Sequence, residues 1–115
     1  MHQFAYSEIL EGSGSEARRK EREAFDRVIL LLRRAQAGPD GSVDVVDAIV
    51  RLRQLWHVLT DDLSMPGNSY PDNLKASLIS IGIWMMKEAD AVTQGNRQGL
   101  EAMIAINTMI RDGLR

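Results

Sequence analysis

The chain has 115 residues, of which 44% are apolar and 26% are charged, the balance of an ordinary globular domain. Its net charge of −2 provides no strong field for nucleic acid or for an anionic membrane. The absence of cysteine excludes disulfides, thiol catalysis and thiolate metal sites.

The N-terminal segment is predicted to be a short helix or an extended arm. Phe4 and Tyr6 belong to the apolar content of residues 2–11, and "GSGS" at 12–15 is expected to interrupt the segment. We therefore expect one helical domain over residues 1–115, with an N-terminal arm at 1–14. The segment lacks the basic start and long apolar core of a secretory signal, so we expect a cytoplasmic protein.

The first long helix is predicted from about Ser15 to Ala37. Ser13 and Glu16 have the S-x-x-E spacing of a capping box, which satisfies free amides at a helix start. Gly38, Pro39 and Gly41 are expected to end this helix.

The second helix has the clearest amphipathic pattern. Its apolar residues step by three or four positions and form one stripe: Val45, Ile49, Leu52, Trp56, Leu59 and Leu63. The negative charges of Asp44 and Asp47 lie near its start, where they interact favourably with the positive end of the helix dipole. "SMPGNSYPD" closes this helix.

Two more helices complete the prediction. Pro71 fits the first position of a third helix, which should end near Gly95. A fourth is predicted from about Asn96 to Gly113, with inward-facing residues Leu100, Met103, Ile106 and Ile110. Because the connections are short, we expect an all-α fold, a compact bundle of three to four mostly antiparallel helices.

The run Leu78–Met86 is apolar except at Ser80 and Gly82. It is too short for a membrane span, which needs about 20 apolar residues, so we expect no membrane insertion. An all-round apolar helix is usually the central one of a bundle. Successive bulky residues from Trp84 to Met86 point in three directions, however, and favour a partner-binding face on the same helix.

The basic stretch "RRKER" at 18–22 has acidic neighbours. The expected i,i+4 ion pairs are Glu16–Lys20, Arg22–Asp26 and Glu23–Arg27. A phosphate-binding stripe needs an excess of basic residues on one face, so the pattern argues against direct nucleic-acid binding.

No constellation in the sequence predicts an enzyme. His57 and Asp61 are one helical turn apart, but the other histidine is His2 and no metalloprotease-type motif is present, so we expect a surface pair and no metal, cofactor or catalytic residue. Asp61 and Asp62 lie near a helix C-terminus, where anions are disfavoured, and are expected to pair with Arg111, another base or a partner.

Four stretches together resemble the FlaF family of flagellar biosynthesis regulators. They are "HQFAYSEILE" at 2–11, "LRQLWHVLTDDL" at 52–63, "LISIGIWMMKEAD" at 78–90 and "INTMIRDGL" at 106–114. The loops at 37–43 and 94–99 match least, and none of the stretches is catalytic.

The resemblance implies a cytoplasmic regulator of flagellin synthesis and export that binds flagellin and acts alongside FlbT, a further candidate partner. We expect an amphipathic terminal segment of flagellin to dock as a helix in a groove. The predicted contact residues are apolar: Phe4, Tyr6, Trp56, Leu63, Trp84, Met85 and Met86. The alternatives are a regulator that acts through RNA and a scaffold that acts through FlbT without binding flagellin.

Overall fold

Four helices joined by three short loops form the part of the chain that the structure describes. The computed structural model describes the backbone of residues 2–114 and the side chains of residues 16–114. The helices are α1 (His2–Ala37), α2 (Val43–Leu63), α3 (Asp72–Thr93) and α4 (Leu100–Gly113). The described backbone contains no strand, and the predicted all-α bundle is confirmed.

The first helix begins earlier than the sequence predicts. The backbone is helical from His2 onward and continues through 12–15, so the predicted start at about Ser15 is wrong. Glycine costs a helix about 1 kcal/mol relative to alanine and serine costs less. Once a helix has nucleated, such small penalties do not stop its propagation.

Local sequence explains the other helix ends. The Ser42 hydroxyl accepts a hydrogen bond from the Val45 amide at 3.4 Å and caps α2. Pro71 is the N-cap of α3, one position before the predicted one. At the other end of α3, Gly95 has a φ of +93°, and the next amide, of Asn96, bonds back to the Ala91 carbonyl. This αL ending favours glycine, which has no Cβ to clash.

The helices lie in cyclic order around the core. Among the described residues, α1 packs on α2 and α4, α3 packs on α2 and more weakly on α4, and the backbones of α1 and α3 lie apart from each other. Asp26 of α1 pairs with Arg111, near the end of α4, while Ala35 bonds to Arg97, just before α4. These two contacts make α1 and α4 antiparallel neighbours.

The core combines the inward stripes of all four helices. Phe25 of α1 meets Trp56 of α2 edge to face, with ring centroids 6.3 Å apart and planes at 87°. Burial of a large apolar side chain contributes about 1.5–3 kcal/mol, so such residues carry much of the stability. The central cluster includes Leu32, Ile49, Leu52, Met85, Val92, Leu100, Met103 and Ile104.

The apolar run of α3 faces more than one environment. Gly82 and Met85 are buried, whereas Ile83 is 57% exposed. The expectation that α3 is the central helix is wrong, since α3 has neighbours on two sides only within the described chain. Apolar residues of α3 that neither α2 nor α4 covers, such as Ile83, are exposed on the protein surface.

Candidate partner-binding groove

A groove of about 590 Å³ runs between α2 and α3. We call it the α2–α3 groove. It is lined by Arg53, Gln54, Trp56, His57, Thr60, Ile79, Gly82, Ile83 and Met86. Its residues come from the two stretches in which the sequence places the clearest amphipathic stripe and the apolar run.

Gly82 determines how closely α3 approaches α2 at the floor of this groove. A Cβ atom at this position would lie 3.1 Å from Thr60 Cγ2 and 3.3 Å from Trp56 Cε3. Both distances are shorter than ordinary van der Waals contact. The atoms that lie so close to Gly82 belong to side chains of α2.

The two sides of the groove differ in chemistry. The α3 side is apolar, with Ile79 and Met86 half-buried and Ile83 largely exposed. The α2 side has polar residues at its edge, where Arg53 pairs with Asp90 at 2.6 Å. An apolar strip with a polar edge matches an amphipathic helix, whose two faces differ in the same way.

A buried hydrogen-bond network fixes Trp56 from behind the groove. Trp56 Nε1 donates to Asn107 Oδ1 at 3.0 Å. The Asn107 amide donates in turn to the Met103 carbonyl at 2.7 Å and to Met85 Sδ at 3.5 Å. The network joins α2, α3 and α4 and satisfies the buried indole N–H, so the groove floor is a fixed surface.

Sequence reasoning missed Asn107, the one buried polar residue among side chains 16–114. The available signal was its spacing, four residues after Met103 and seven after Leu100, which places it on the inward face of α4. Of the residues predicted to face inward there, Leu100 and Met103 are buried, while Ile106 and Ile110 are half-buried.

The structure divides the predicted contact residues among several environments. Trp56 and Met86 line the α2–α3 groove, although Trp56 is only 1% exposed. Leu63 and Met85 are buried, and Trp84 packs half-buried against the core outside this groove. Phe4 and Tyr6 lie outside the residues whose side chains the structure describes. The sequence did not point to Ile79 and Ile83, which complete the apolar side.

A second, smaller groove of about 230 Å³ lies where α3 begins and α4 ends. We call it the end groove. Its lining is apolar apart from one acidic side chain: Glu21, Phe25, Leu59, Tyr70, Leu74, Leu78, Met109, Ile110, Gly113 and Leu114. Partial burial, and secondarily the Asp62 carboxylate, raise the pKa of Glu21, whereas Arg18 opposes the rise.

The charged surface differs from the prediction in its partners. Arg19 pairs with Glu16 and with Glu23, the latter at 2.9 Å, in place of the three expected pairs. Arg111 pairs with Asp26 at 2.7 Å rather than with Asp61 or Asp62, so of the three alternatives left open for these two carboxylates the first does not hold. The predicted i,i+4 pairs failed because several partners lie within reach of one guanidinium on a helix surface.

The His57–Asp61 pair is present on the surface, with 3.5 Å between Nε2 and Oδ2. The His57 side chain is 79% exposed. The neighbouring Asp62 has a different partner, since its carboxylate accepts a hydrogen bond from the side-chain amide of Asn68. Within the described part of the chain, no cluster of three or more histidine, aspartate or glutamate residues could hold a metal ion.

Comparison with known families gives one decisive match. The model of the flagellar protein FlaF family matches residues 2–114, nearly the whole chain. The chain belongs to the FlaF family. No curated protein and no solved structure gives a significant match. In this FlaF-family bundle, no described helix has the length and apolar content needed to cross a bilayer.

Proposed function

We propose that this FlaF-family protein binds flagellin and holds one of its amphipathic terminal segments in the α2–α3 groove. The observation that carries the proposal is the groove itself, which has a volume of about 590 Å³ and an apolar side, on a member of a flagellar family. Ile83 is the contact residue that the free protein already exposes, and Met86 and the edge of Trp56 supply the surface beneath.

The groove suits the physics of capturing an unassembled segment. A flagellin terminus that becomes helical only on binding loses conformational entropy, and this ordering costs about 2–5 kcal/mol of the gross interaction energy. A preformed apolar floor, held by the Trp56–Asn107 hydrogen bond, offsets that cost because the protein itself need not become ordered.

In this proposal the protein works by binding in the cytoplasm and needs neither catalysis nor a cofactor. By covering an aggregation-prone terminal segment, it keeps flagellin available for export and links flagellin supply to the regulation of its synthesis. FlbT is a further proposed partner. The scaffold and RNA alternatives differ from this role in one respect, because neither requires contact between this chain and flagellin.

Calorimetric titration with flagellin monomer, with and without its terminal segments, tests the proposal. We expect binding that requires a terminal segment and has a negative heat-capacity change, the sign of apolar burial. Ile83→Asp should weaken binding at least about tenfold, since a charge would enter the apolar contact.

Val58→Asp is the matched control for this experiment. Val58 is also an exposed apolar residue, at 67%, but does not line the groove. Equal effects of the two substitutions would contradict the groove assignment. If the folded wild-type protein does not bind flagellin at micromolar concentration, the proposal is wrong. Titrations with FlbT and with flagellin messenger RNA would then test the two alternatives.

A further inference from the structure

The end groove differs from the α2–α3 groove in having a carboxylate within an apolar lining. Glu21 lies among Phe25, Leu59 and Leu78, and no described residue donates a hydrogen bond to it or forms an ion pair with it. A carboxylate that is partly withdrawn from water without such a partner is energetically unfavourable. A cation supplied from outside would remove this penalty.

The surroundings of Glu21 add negative potential. The Asp62 carboxylate acts on Glu21 directly. In addition, α2 ends at Leu63 and α4 ends at Gly113, so the negative ends of two helix dipoles lie at this end of the bundle, against the one positive end where α3 begins. Arg18 opposes this field, but Arg111 is engaged by Asp26, and the first turn of α3 adds Asp72.

The remainder of the groove is apolar and accessible. Met109 is 72% exposed, Leu74 is 41% exposed and Tyr70 is 37% exposed, all on the side where α3 and α4 separate. An apolar wall beside a partly buried carboxylate is complementary to an aliphatic side chain that ends in a cation. Lysine and arginine combine an apolar stem with a charged head in this way.

We propose that the end groove is a second protein-docking site, which accepts an apolar segment carrying a lysine or arginine whose cationic head pairs with Glu21. The stem and the neighbouring apolar residues of the segment cover Leu74, Leu78 and Met109. The site is separate from the α2–α3 groove, since the two share no lining residue, and it does not depend on the flagellin proposal.

A pair of model peptides tests this site in the full chain. One is an amphipathic helix of leucine and lysine, and the other has glutamate in place of every lysine. We expect the lysine peptide to bind and the glutamate peptide to bind much more weakly. Amide chemical-shift changes should centre on Tyr70, Leu74 and Met109.

Two charge-neutralising variants separate the site from general attraction. Glu21→Gln should weaken binding of the lysine peptide about five- to tenfold, since it removes the charge from a partly buried pair. Glu23→Gln makes the same change in net charge on the same helix, but Glu23 lies outside the groove and pairs with Arg19. It should leave the affinity within about twofold, as exposed pairs contribute little.

A third variant tests the apolar part of the site. Met109→Ser removes an exposed groove residue, so the fold should be retained while both peptides bind less tightly. Equal effects of Glu21→Gln and Glu23→Gln, shift changes centred on Ile79 and Ile83, or no binding of the lysine peptide would each overturn the proposal.

Discussion

The two halves of the bundle, on either side of Asn107, are held together differently. In the closed half, towards the α1–α2 and α3–α4 loops, Arg97 Nη1 donates to the carbonyls of Ala35 and Gly38 at 2.9 and 2.6 Å, and Nε pairs with Asp40 at 2.7 Å. In the open half, towards the α2–α3 loop, α3 and α4 separate and the end groove lies between them.

The difference shows where this protein has stability and where it has free surface. In the closed half, one arginine donates to the Gly38 carbonyl and gives the Ala35 carbonyl a second donor beside the Gly38 amide, so it holds the C-terminus of α1. In the open half, apolar side chains such as Met109 and Leu74 have no full covering, and no described residue forms an ion pair with Glu21, although the charge of Arg18 opposes the rise of its pKa. The closed half is therefore held by polar contacts of one arginine, whereas the open half keeps exposed apolar side chains.

The largest expected effect on stability comes from removing Asn107, which lies between the two halves. Asn107→Ala leaves the buried Trp56 N–H without an acceptor and opens a small cavity, so we expect a loss of about 2–4 kcal/mol in the free energy of unfolding. Urea denaturation followed by tryptophan fluorescence measures it. Asn73→Ala, at an exposed position, should stay within about 0.5 kcal/mol. Similar midpoints for the two variants would show that the network does not hold the bundle together.

A smaller effect is expected in the closed half. Arg97→Ala removes two hydrogen bonds to carbonyls and one ion pair, which should cost about 1–2 kcal/mol of stability. Arg53→Ala is the control, because it breaks only the exposed pair with Asp90 and should cost no more than about 1 kcal/mol. Thermal unfolding measures the stability of both variants. An equal loss of stability would show that the contacts of Arg97 stabilise the protein no more than the exposed Arg53–Asp90 pair does.

The smallest effect concerns the open half and its pH dependence. The folded state raises the pKa of Glu21, so it holds the proton more tightly than the unfolded chain does. Stability is then lost as the pH rises through the ordinary glutamate range to the raised pKa, and the penalty is complete above it.

Glu21→Gln removes that penalty, so this variant should be slightly more stable than the wild type at pH 7. The difference should vanish as the pH falls below the ordinary pKa of glutamate. Thermal midpoints of the two proteins across this pH range measure the effect. A wild-type protein that is the more stable one at pH 7 would contradict the electrostatic account.

The sequence predicted where the helices lie along the chain better than it predicted which helices pack beside one another. The predicted α2 stripe runs without a gap, and its residues are buried except for Leu59, which is half-buried, so the buried face of α2 followed from local pattern. The local pattern of α3 shows only that many of its positions are apolar. Which of them are covered depends on which helices lie beside α3.

The same limit applies to the sites. Trp56 and Met86, two of the predicted contact residues, line the same groove, but helical spacing does not distinguish a groove residue from a core residue such as Met85. Asn107 and Arg97 gain their roles from partners 51 and 62 residues away, namely Trp56 and Ala35. No pattern within one helix or loop contains that information.

The pairing of Asp26 with Arg111 has a consequence for how the chain folds. These residues are 85 positions apart, whereas the other neighbouring helices form consecutive hairpins. The entropic cost of closing a loop rises with its length, by about 0.6 kcal/mol for each doubling. The seam between α1 and α4 is therefore the costliest interface to nucleate, so we expect it to form after the hairpins, and changes that strengthen it should slow unfolding more than they accelerate folding.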